Sequence, residues 1–387
     1  MYTYHHTICN ELLQFVNKRN FDDLLGQHQT DKRKKKFSTR NTFQCLFIGQ
    51  ILWCTSIRHL WTVLTCNQSK LYHLWIEKFA RSTFSDWINK TDSSLFEQLF
   101  YRTLQQTTQL ITEKQRCKTW NKVYAIDATI ISLTLSVFNR AYYRKKKWAI
   151  KLHTRLNLWT ALPDMICITD GKKTDGKTAH RLTDWLDKWS IVIFDRGYLD
   201  YEYWHTLTKQ WITFVTRTKH NTEYTPIERF QTPHHCILYD AKVEFVYGSS
   251  YEKYPQWIRV IRYRDSKTGE VFEYITNNFD LPAITIAQLY QQRRKIETLF
   301  RWLKQNLKIK EFFWTSKNAV ENQVWVALIY YLIVIMIKTK TRCHESLLEL
   351  SRKLATLLFE RLKILYILWS KPPDLIKIAF YPQLSLF

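Results

Sequence analysis

Eight cysteines, Cys9, Cys45, Cys54, Cys66, Cys117, Cys167, Cys236 and Cys343, are scattered along the 387 residues without one C-x-x-C pair. Scattered free thiols in a reducing cytosol explain that spacing better than a disulfide framework does. His234, His235 and Cys236 have no second ligand pair nearby in sequence, so they read as chance neighbours in a loop. The N-terminus lacks the basic-then-apolar pattern of a secretory signal. The longest apolar run, Val324 to Ile337, is short for a bilayer span and follows the polar segment Lys317 to Gln323, so it reads as a buried helix. There is no internal repeat and no low-complexity tract. These absences point to a soluble cytoplasmic chain with no membrane partner.

Acidic side chains are also scarce. Asp and Glu total 34 against 58 Lys and Arg, a formal charge of +24 and a pI near 9.6. Such an excess favours a polyanionic partner, because cations that meet phosphates release condensed counterions. Charge alone leaves open a generally basic composition or an anionic surface. Aromatics are plentiful, with 16 Trp, 22 Tyr and 22 Phe. Interleaved with cations, those outside the core offer stacking surfaces to unpaired bases.

Residues 1–115 read as a helical domain. A basic run, Lys32, Arg33, Lys34, Lys35 and Lys36, precedes two short helices. Ser38 is placed to cap a helix from Thr39 to Leu52, and Ser56 a second from Ile57 to Leu64. The arrangement suits a DNA-binding module and suits equally an ordinary helical bundle with a solvated loop. From 122 the pattern changes. VYAIDAT, WAIKLHTRLNLW and DMICITDG read as strands, Thr178 to Lys188 as a helix and IVIFD as a fourth strand. Tyr201 to Gln210 reads as a helix and WITFVTRTK as a fifth strand. The β-β-β-α-β-α-β order is that of a ribonuclease-H-like α/β core, assigned to residues 116–219 and 281–318. Residues 220–280 alternate like antiparallel strands and read as an inserted β-domain, with a hairpin turn at Ser266 to Gly269. Residues 319–387 form a helical C-terminal region, with helices expected over Val320 to Lys338 and Glu345 to Tyr366.

The most informative segment is LYQQRRKIETLFRWLKQNLKIK, residues 289–310. On one continuous helix, Tyr290, Arg293, Glu297 and Lys304 fall within a sector of roughly 60°, and Arg301 and Lys308 extend the stripe. Leu289, Ile296, Leu299, Phe300, Leu303 and Leu307 form a neighbouring apolar sector. Upstream, Asp127 lies on the first strand and Asp195 at the end of the fourth, neighbours in this topology. The separations of 68 and 102 residues along the chain mean that only folding can bring Asp127, Asp195 and Glu297 together. Two strand carboxylates and one helix carboxylate are the set a two-metal phosphoryl-transfer site uses, with hard oxygen ligands suited to Mg²⁺. Arg293, Lys304 and Tyr290 suit a grip on phosphates. A capped turn for a lone aspartate and an exposed cationic helix face are the plain alternatives.

The helix matches Y-x2-R-x3-E-x6-K at Tyr290, Arg293, Glu297 and Lys304, and on it the chain resembles the insertion-sequence family 4 DDE transposases. IDAT around Asp127, KLHTRLN from Lys151, TDGKKTD from Thr169 and FDRGY around Asp195 are similar to that family's catalytic blocks. FDDLLGQH and TSIRHL resemble its N-terminal domain. The resemblance implies catalytic, metal-binding roles for Asp127, Asp195 and Glu297, with two Mg²⁺ ions or Mn²⁺ in their place. It implies DNA contacts from Tyr290, Arg293, Lys304, Lys151, Arg301, Lys32, Arg33 and Lys34. It also implies cut-and-paste chemistry through a hairpin, and a homodimer that holds terminal inverted repeats and target DNA in a bacterial cytoplasm. Some relatives carry a tryptophan directly after the signature arginine; here Arg294 stands there, leaving Trp302 and Trp314 as candidates to stack on an extruded base. A ribonuclease-H-like nuclease and a domesticated, non-catalytic DNA-binding protein are the alternative functions.

Overall fold

The computed structural model describes residues 7–32, 37–114, 122–132, 149–171, 175–198, 200–218, 222–246, 249–306, 316–361 and 363–364. The chain divides into two compact units, Met1–Lys114 with Asn306–Phe387, and Gln115–Gln305. The N- and C-terminal helical segments, read from the sequence as separate regions, therefore fall in one unit.

In that unit, α1 (Ile8–Gln14), α2 (Lys18–His28), α3 (Thr39–Ile51), α4 (Ile57–Cys66), α5 (Arg81–Lys90) and α6 (Ser93–Lys114) follow one another. Ser38 caps α3 in a reciprocal box with Asn41, and the Ser56 hydroxyl accepts the His59 N–H at 3.0 Å at the start of α4. Helix α3 is buried on nearly every side, whereas α4 exposes Arg58, His59, Thr62 and Thr65.

The second unit is built on one nine-stranded sheet. Its strands are β1 (Val123–Ser132), β2 (Ala149–Asn157), β3 (Leu162–Asp170), β4 (Ile191–Phe194), β5 (Thr213–Arg217), β6 (Tyr224–Arg229), β7 (Ile237–Phe245), β8 (Ile258–Arg264) and β9 (Val271–Thr276). The order is β3-β2-β1-β4-β5-β9-β8-β7-β6. β1 and β2, and β2 and β3, pair antiparallel, while β4 lies parallel to both β1 and β5. β9 joins β5 antiparallel, so the strands after residue 220 continue the sheet edge to edge. Helices α7 (Asp175–Thr183) and α8 (Tyr201–Lys209), with Tyr254 directly after α9 (Ser249–Lys253), contribute to one core. There Leu182, Trp204, Leu207 and Tyr254 meet Ile126, Val192, Phe194, Phe214 and Ile275 from the sheet. α7 ends five residues before the expected Lys188, because the chain turns left-handed at Trp185. Helices α10 (Ala283–Gln291) and α11 (Arg294–Asn306) follow the last strand. Ile296, Leu299, Phe300 and Leu303 of α11 are buried, as the apolar sector requires.

Back in the first unit, α12 (Lys317–Thr341) packs against α3, α5, α6 and α13 (Leu347–Thr356). By length and composition α12 is apolar enough to cross a membrane, yet 83% of its apolar window is buried in the protein. Its buried Asn322 donates to the carbonyls of Ile88 and Thr91 at 3.1 and 2.9 Å, satisfying the end of α5. The last expected helix runs only from Leu347 to Thr356 among the described residues; Tyr366 lies outside them. The seven described cysteines are free, and burial pushes the Cys9 thiol up to about 12.

An ion pair holds the added strands to the loop that leads into α10. Arg259 on β8 meets both oxygens of Asp240 on β7, at 2.8 and 2.7 Å, and donates to the Leu281 carbonyl at 2.6 Å. Both side chains are almost wholly buried. Asp240→Ala strands the guanidinium in that interior and should cost about 3–5 kcal/mol of unfolding free energy. Urea denaturation checks this, and a loss below about 1 kcal/mol would contradict a desolvated pair.

Candidate active site

The register of β1 on β4 builds the centre of the site. Val123 pairs with Ile191 and Ile126 with Phe194, so the next residues on each strand, Asp127 and Asp195, stand side by side. Ile126 points into the core shared with α7 and α8. By the alternation of the strand, Asp127 points to the opposite face. Asp127 Oδ1 accepts the Ala128 N–H at 2.7 Å, and Asp195 Oδ1 accepts the Gly197 N–H at 2.8 Å where the chain leaves β4.

Glu297 comes to the same place through Arg293. One guanidinium nitrogen of Arg293 lies 3.0 Å from Asp127 Oδ2 and another bonds Glu297 Oε1, so one side chain bridges the strand carboxylate and the helix carboxylate. Burial pushes the Asp127 carboxyl up to about 6; Asp195 and Glu297 push the same way, against the Ala128 N–H and Arg293. Burial opposes the charge on Arg293, but Tyr290, Asp127, Glu297 and Asp195 outweigh it and hold its pKa above the usual value. Tyr290 is buried, its ring 4.8 Å from that of Tyr274, and burial raises its phenol.

The signature residues do not lie on one continuous helix. α10 stops at Gln291 and α11 begins at Arg294. Across the junction the N–H groups of Arg293, Lys295 and Ile296 donate to the carbonyls three residues back, to Tyr290, Gln292 and Arg293, each at 3.0 Å. This tighter, 3₁₀-type turn puts Arg293 at a corner between helices. Lys295 fixes the start of α11 by donating to the Leu158 carbonyl at 3.0 Å.

Beyond the corner, Glu297, Arg301 and Lys304 follow the helical spacing along α11, all exposed. Lys151 pairs with Ile130, which puts it on the face of β1 and β2 opposite Asp127. Lys32 is exposed just after α2. Arg33, Lys34, Lys35, Lys36, Leu307, Lys308 and Trp314 lie outside the described residues. Trp302 is buried in α11 and Arg294 exposed at its start. The ligand atoms of His234, His235 and Cys236 lie within 4.8 Å of one another, with the Cys236 N–H given to His234 Nδ1.

Two arginines near the site escaped the sequence reading. Arg196 and Arg217 influence the Tyr290 hydroxyl and line a cleft of about 660 Å³ with Tyr224, Arg262 and Glu273. Arg196 directly follows Asp195, and that adjacency was the available signal. Arg217 ends β5 one strand further along, and nothing local marked it.

The profile of the transposase DDE domain matches residues 121–333, over half of the chain, and the chain belongs to that family. Residues 4–77 match a domain of unknown function (DUF4372). A Geobacillus stearothermophilus protein bearing the name transposase for insertion sequence element IS5377 is 29% identical over 227 residues, 57% of this chain and 59% of that protein. A Sinorhizobium fredii protein named as transposase y4zB is 29% identical over 229 residues, 58% and 63% of the two chains. One from Synechocystis, named as transposase for insertion sequence element IS4SA, is 22% identical over 362 residues, covering 91% and 98%. The chain thus spans about three fifths of the first two relatives and nearly all of the third. A solved piggyBac transposase synaptic complex with hairpin DNA shares 11% identity at a TM-score of 0.45, over 98% of this chain and 83% of that one.

Burying Asp127 beside two other carboxylates has a cost in the metal-free chain. Asp127 titrates near 6 when folded against 3.8 for a free aspartate, so the folded state holds the proton more tightly and stability falls as pH rises through that window. In chelator at pH 8, Asp127→Asn should therefore be more stable than the parent by about 1–3 kcal/mol. Denaturant midpoints compared at pH 8 check this, and a destabilised variant would contradict the charge crowding.

Proposed function

We propose that this chain is an insertion-sequence transposase of the family 4 type, which binds transposon ends, cleaves them and joins them to target DNA. The observation that carries the reading is the side-by-side pairing of Asp127 and Asp195 with Glu297 tied to Asp127 by one arginine. The strand order β3-β2-β1-β4-β5, antiparallel then parallel, supports a ribonuclease-H-like core, with the strands after 220 as its β-rich insertion.

Asp127, Asp195 and Glu297 would hold the divalent ions, Mg²⁺ with Mn²⁺ in its place. The donor set fits: three hard carboxylates come together, and burial, with Asp195 and Glu297 beside it, raises the Asp127 carboxyl. Held there, such ions would supply activation of an attacking water or 3′-hydroxyl and stabilisation of the leaving oxygen. Arg293 supplies positive charge between two of the carboxylates and holds Glu297 toward the strand pair. Tyr290 offers a hydroxyl beside Asp195, and Arg301 and Lys304 supply point charges to the phosphates flanking the cut, while Lys151, on the opposite face of the sheet, takes no part there. Lys32, Arg33 and Lys34 with the exposed side of α4 serve binding of the ends, and a homodimer brings two ends together.

Asp127→Ala, Asp195→Ala and Glu297→Ala should each reduce cleavage of labelled end DNA by at least about a thousandfold, with end binding retained in a mobility-shift assay. Cleavage near the parental rate in any one of them removes that residue from the metal site. Replacing Lys32, Arg33 and Lys34 together by Ala in the full chain should weaken end binding and flatten the salt dependence by about two to three in slope. An unchanged slope in a salt titration would take these cations off the DNA.

A further inference from the structure

Two groups of the described tryptophans contrast sharply. Trp204, Trp302 and Trp325 are buried in helices α8, α11 and α12, as large apolar side chains are expected to be. Trp53, Trp75, Trp185, Trp189 and Trp211 instead sit at turns with φ of 52°, 55°, 66°, 69° and 61°. Five of the eight described non-glycine residues with positive φ are thus tryptophan, and none is the Asn, Asp or His that ordinarily tolerates that region. For a bulky L-residue the left-handed conformation brings Cβ against its own carbonyl.

The hydrogen bonds at these positions are those of glycine motifs. After α3, the Trp53 N–H donates to Gln50 O at 3.3 Å and the Cys54 N–H to Gly49 O at 2.9 Å. After α8, the Trp211 N–H donates to Thr208 O at 3.0 Å and the Ile212 N–H to Leu207 O at 2.9 Å. Each pair is a Schellman motif with tryptophan at the residue past the cap, where glycine is the usual occupant. From Asp187 to Ser190, a turn closed by the Ser190 N–H on Asp187 O at 3.2 Å has Trp189 third, the position where a type II turn requires positive φ. Trp75 ends the single helical turn Tyr72–Leu74, and Trp185 lies two residues past α7.

Packing gives no reason for an indole at four of these positions. Trp75, Trp185, Trp189 and Trp211 are 85, 95, 60 and 57% exposed. Composition agrees: the chain has 7 glycines and 16 tryptophans, where average usage for this length would give about 27 glycines.

We infer that the native residue at positions 53, 75, 185, 189 and 211 is glycine, specified by a codon that the source cell reads as glycine and that this sequence renders as tryptophan. A reassigned UGA codon meets that requirement, since UGA is one base from UGG for tryptophan and one base from GGA for glycine. The buried Trp204, Trp302 and Trp325 are true tryptophans. It follows that the exposed Trp189–Trp211 pair, with ring centroids 5.2 Å apart, is no platform for unpaired bases.

Peptide mass spectrometry of the full chain purified from its own cells tests the inference directly. Glycine is expected at the five positions, with tryptophan retained at Trp204 and Trp325. Tryptophan at the five overturns it. In the full chain made with tryptophan, each Trp→Gly change at these positions should raise Tm by about 2–4 °C, while Trp204→Gly should lower it. No rise, or a fall like that of Trp204→Gly, overturns the inference. Affinity for end DNA should be unchanged by Trp189→Gly and Trp211→Gly, and a loss would restore them as a stacking surface and overturn the assignment.

Discussion

Everything at the site follows from the parallel pairing of β1 with β4. Parallel strands cannot be joined by a hairpin, so β2, β3 and α7 occupy the chain between them. The register from Val123–Ile191 to Ile126–Phe194 then brings two aspartates to one edge. A slip of one residue would turn Asp127 into the core and put Ile126 at the site, because side chains alternate across the sheet. The buried faces of Ala125, Ile126, Ile193 and Phe194 prevent that slip, so packing energy spent in the core also sets the distance between carboxylates.

Arg293 completes the arrangement by answering a charge problem. Three carboxylates cannot converge in a partly desolvated place without opposing charge, and the guanidinium is the counter-charge that bonds two of them. Its position at the corner between α10 and α11 is part of that answer, since the tight turn at Gln292 and Arg293 separates the residue from the regular helical face. The site is accordingly a local departure from best stability in a well-packed sheet, as functional centres commonly are.

Much of this was legible in the residues. The cap at Ser38, the cap at Ser56 and the start of α8 at Tyr201 fell where short polar side chains precede periodic apolar runs. Asp127 and Asp195 were readable because each adjoins a run of strand formers. Other features were not legible, for physical reasons. A 3.6-residue period cannot report a change to bonding three residues back, so the corner at Arg293 was read as unbroken helix. The joining of N- and C-terminal helices depends on contacts far apart in sequence, such as Asn322 with Ile88 and Thr91. The early end of α7 was hidden because its left-handed stop bears tryptophan in place of glycine.

The continuity of the sheet past β5 bears on how such a protein diversifies. A module hung from a loop can be lost or exchanged with little harm to its host. Here the segment from Tyr224 to Thr276 covers the backbone edge of β5 through β9, and removing it would leave the outer edge of β5 at Val215, Thr216 and Arg217 uncovered. An uncovered edge invites pairing with other chains. Loss of the segment therefore requires a replacement edge at the same moment, while side chains on its outer strands remain free to vary. Lineages descended from this fold should retain the inner strand and differ in the outer ones.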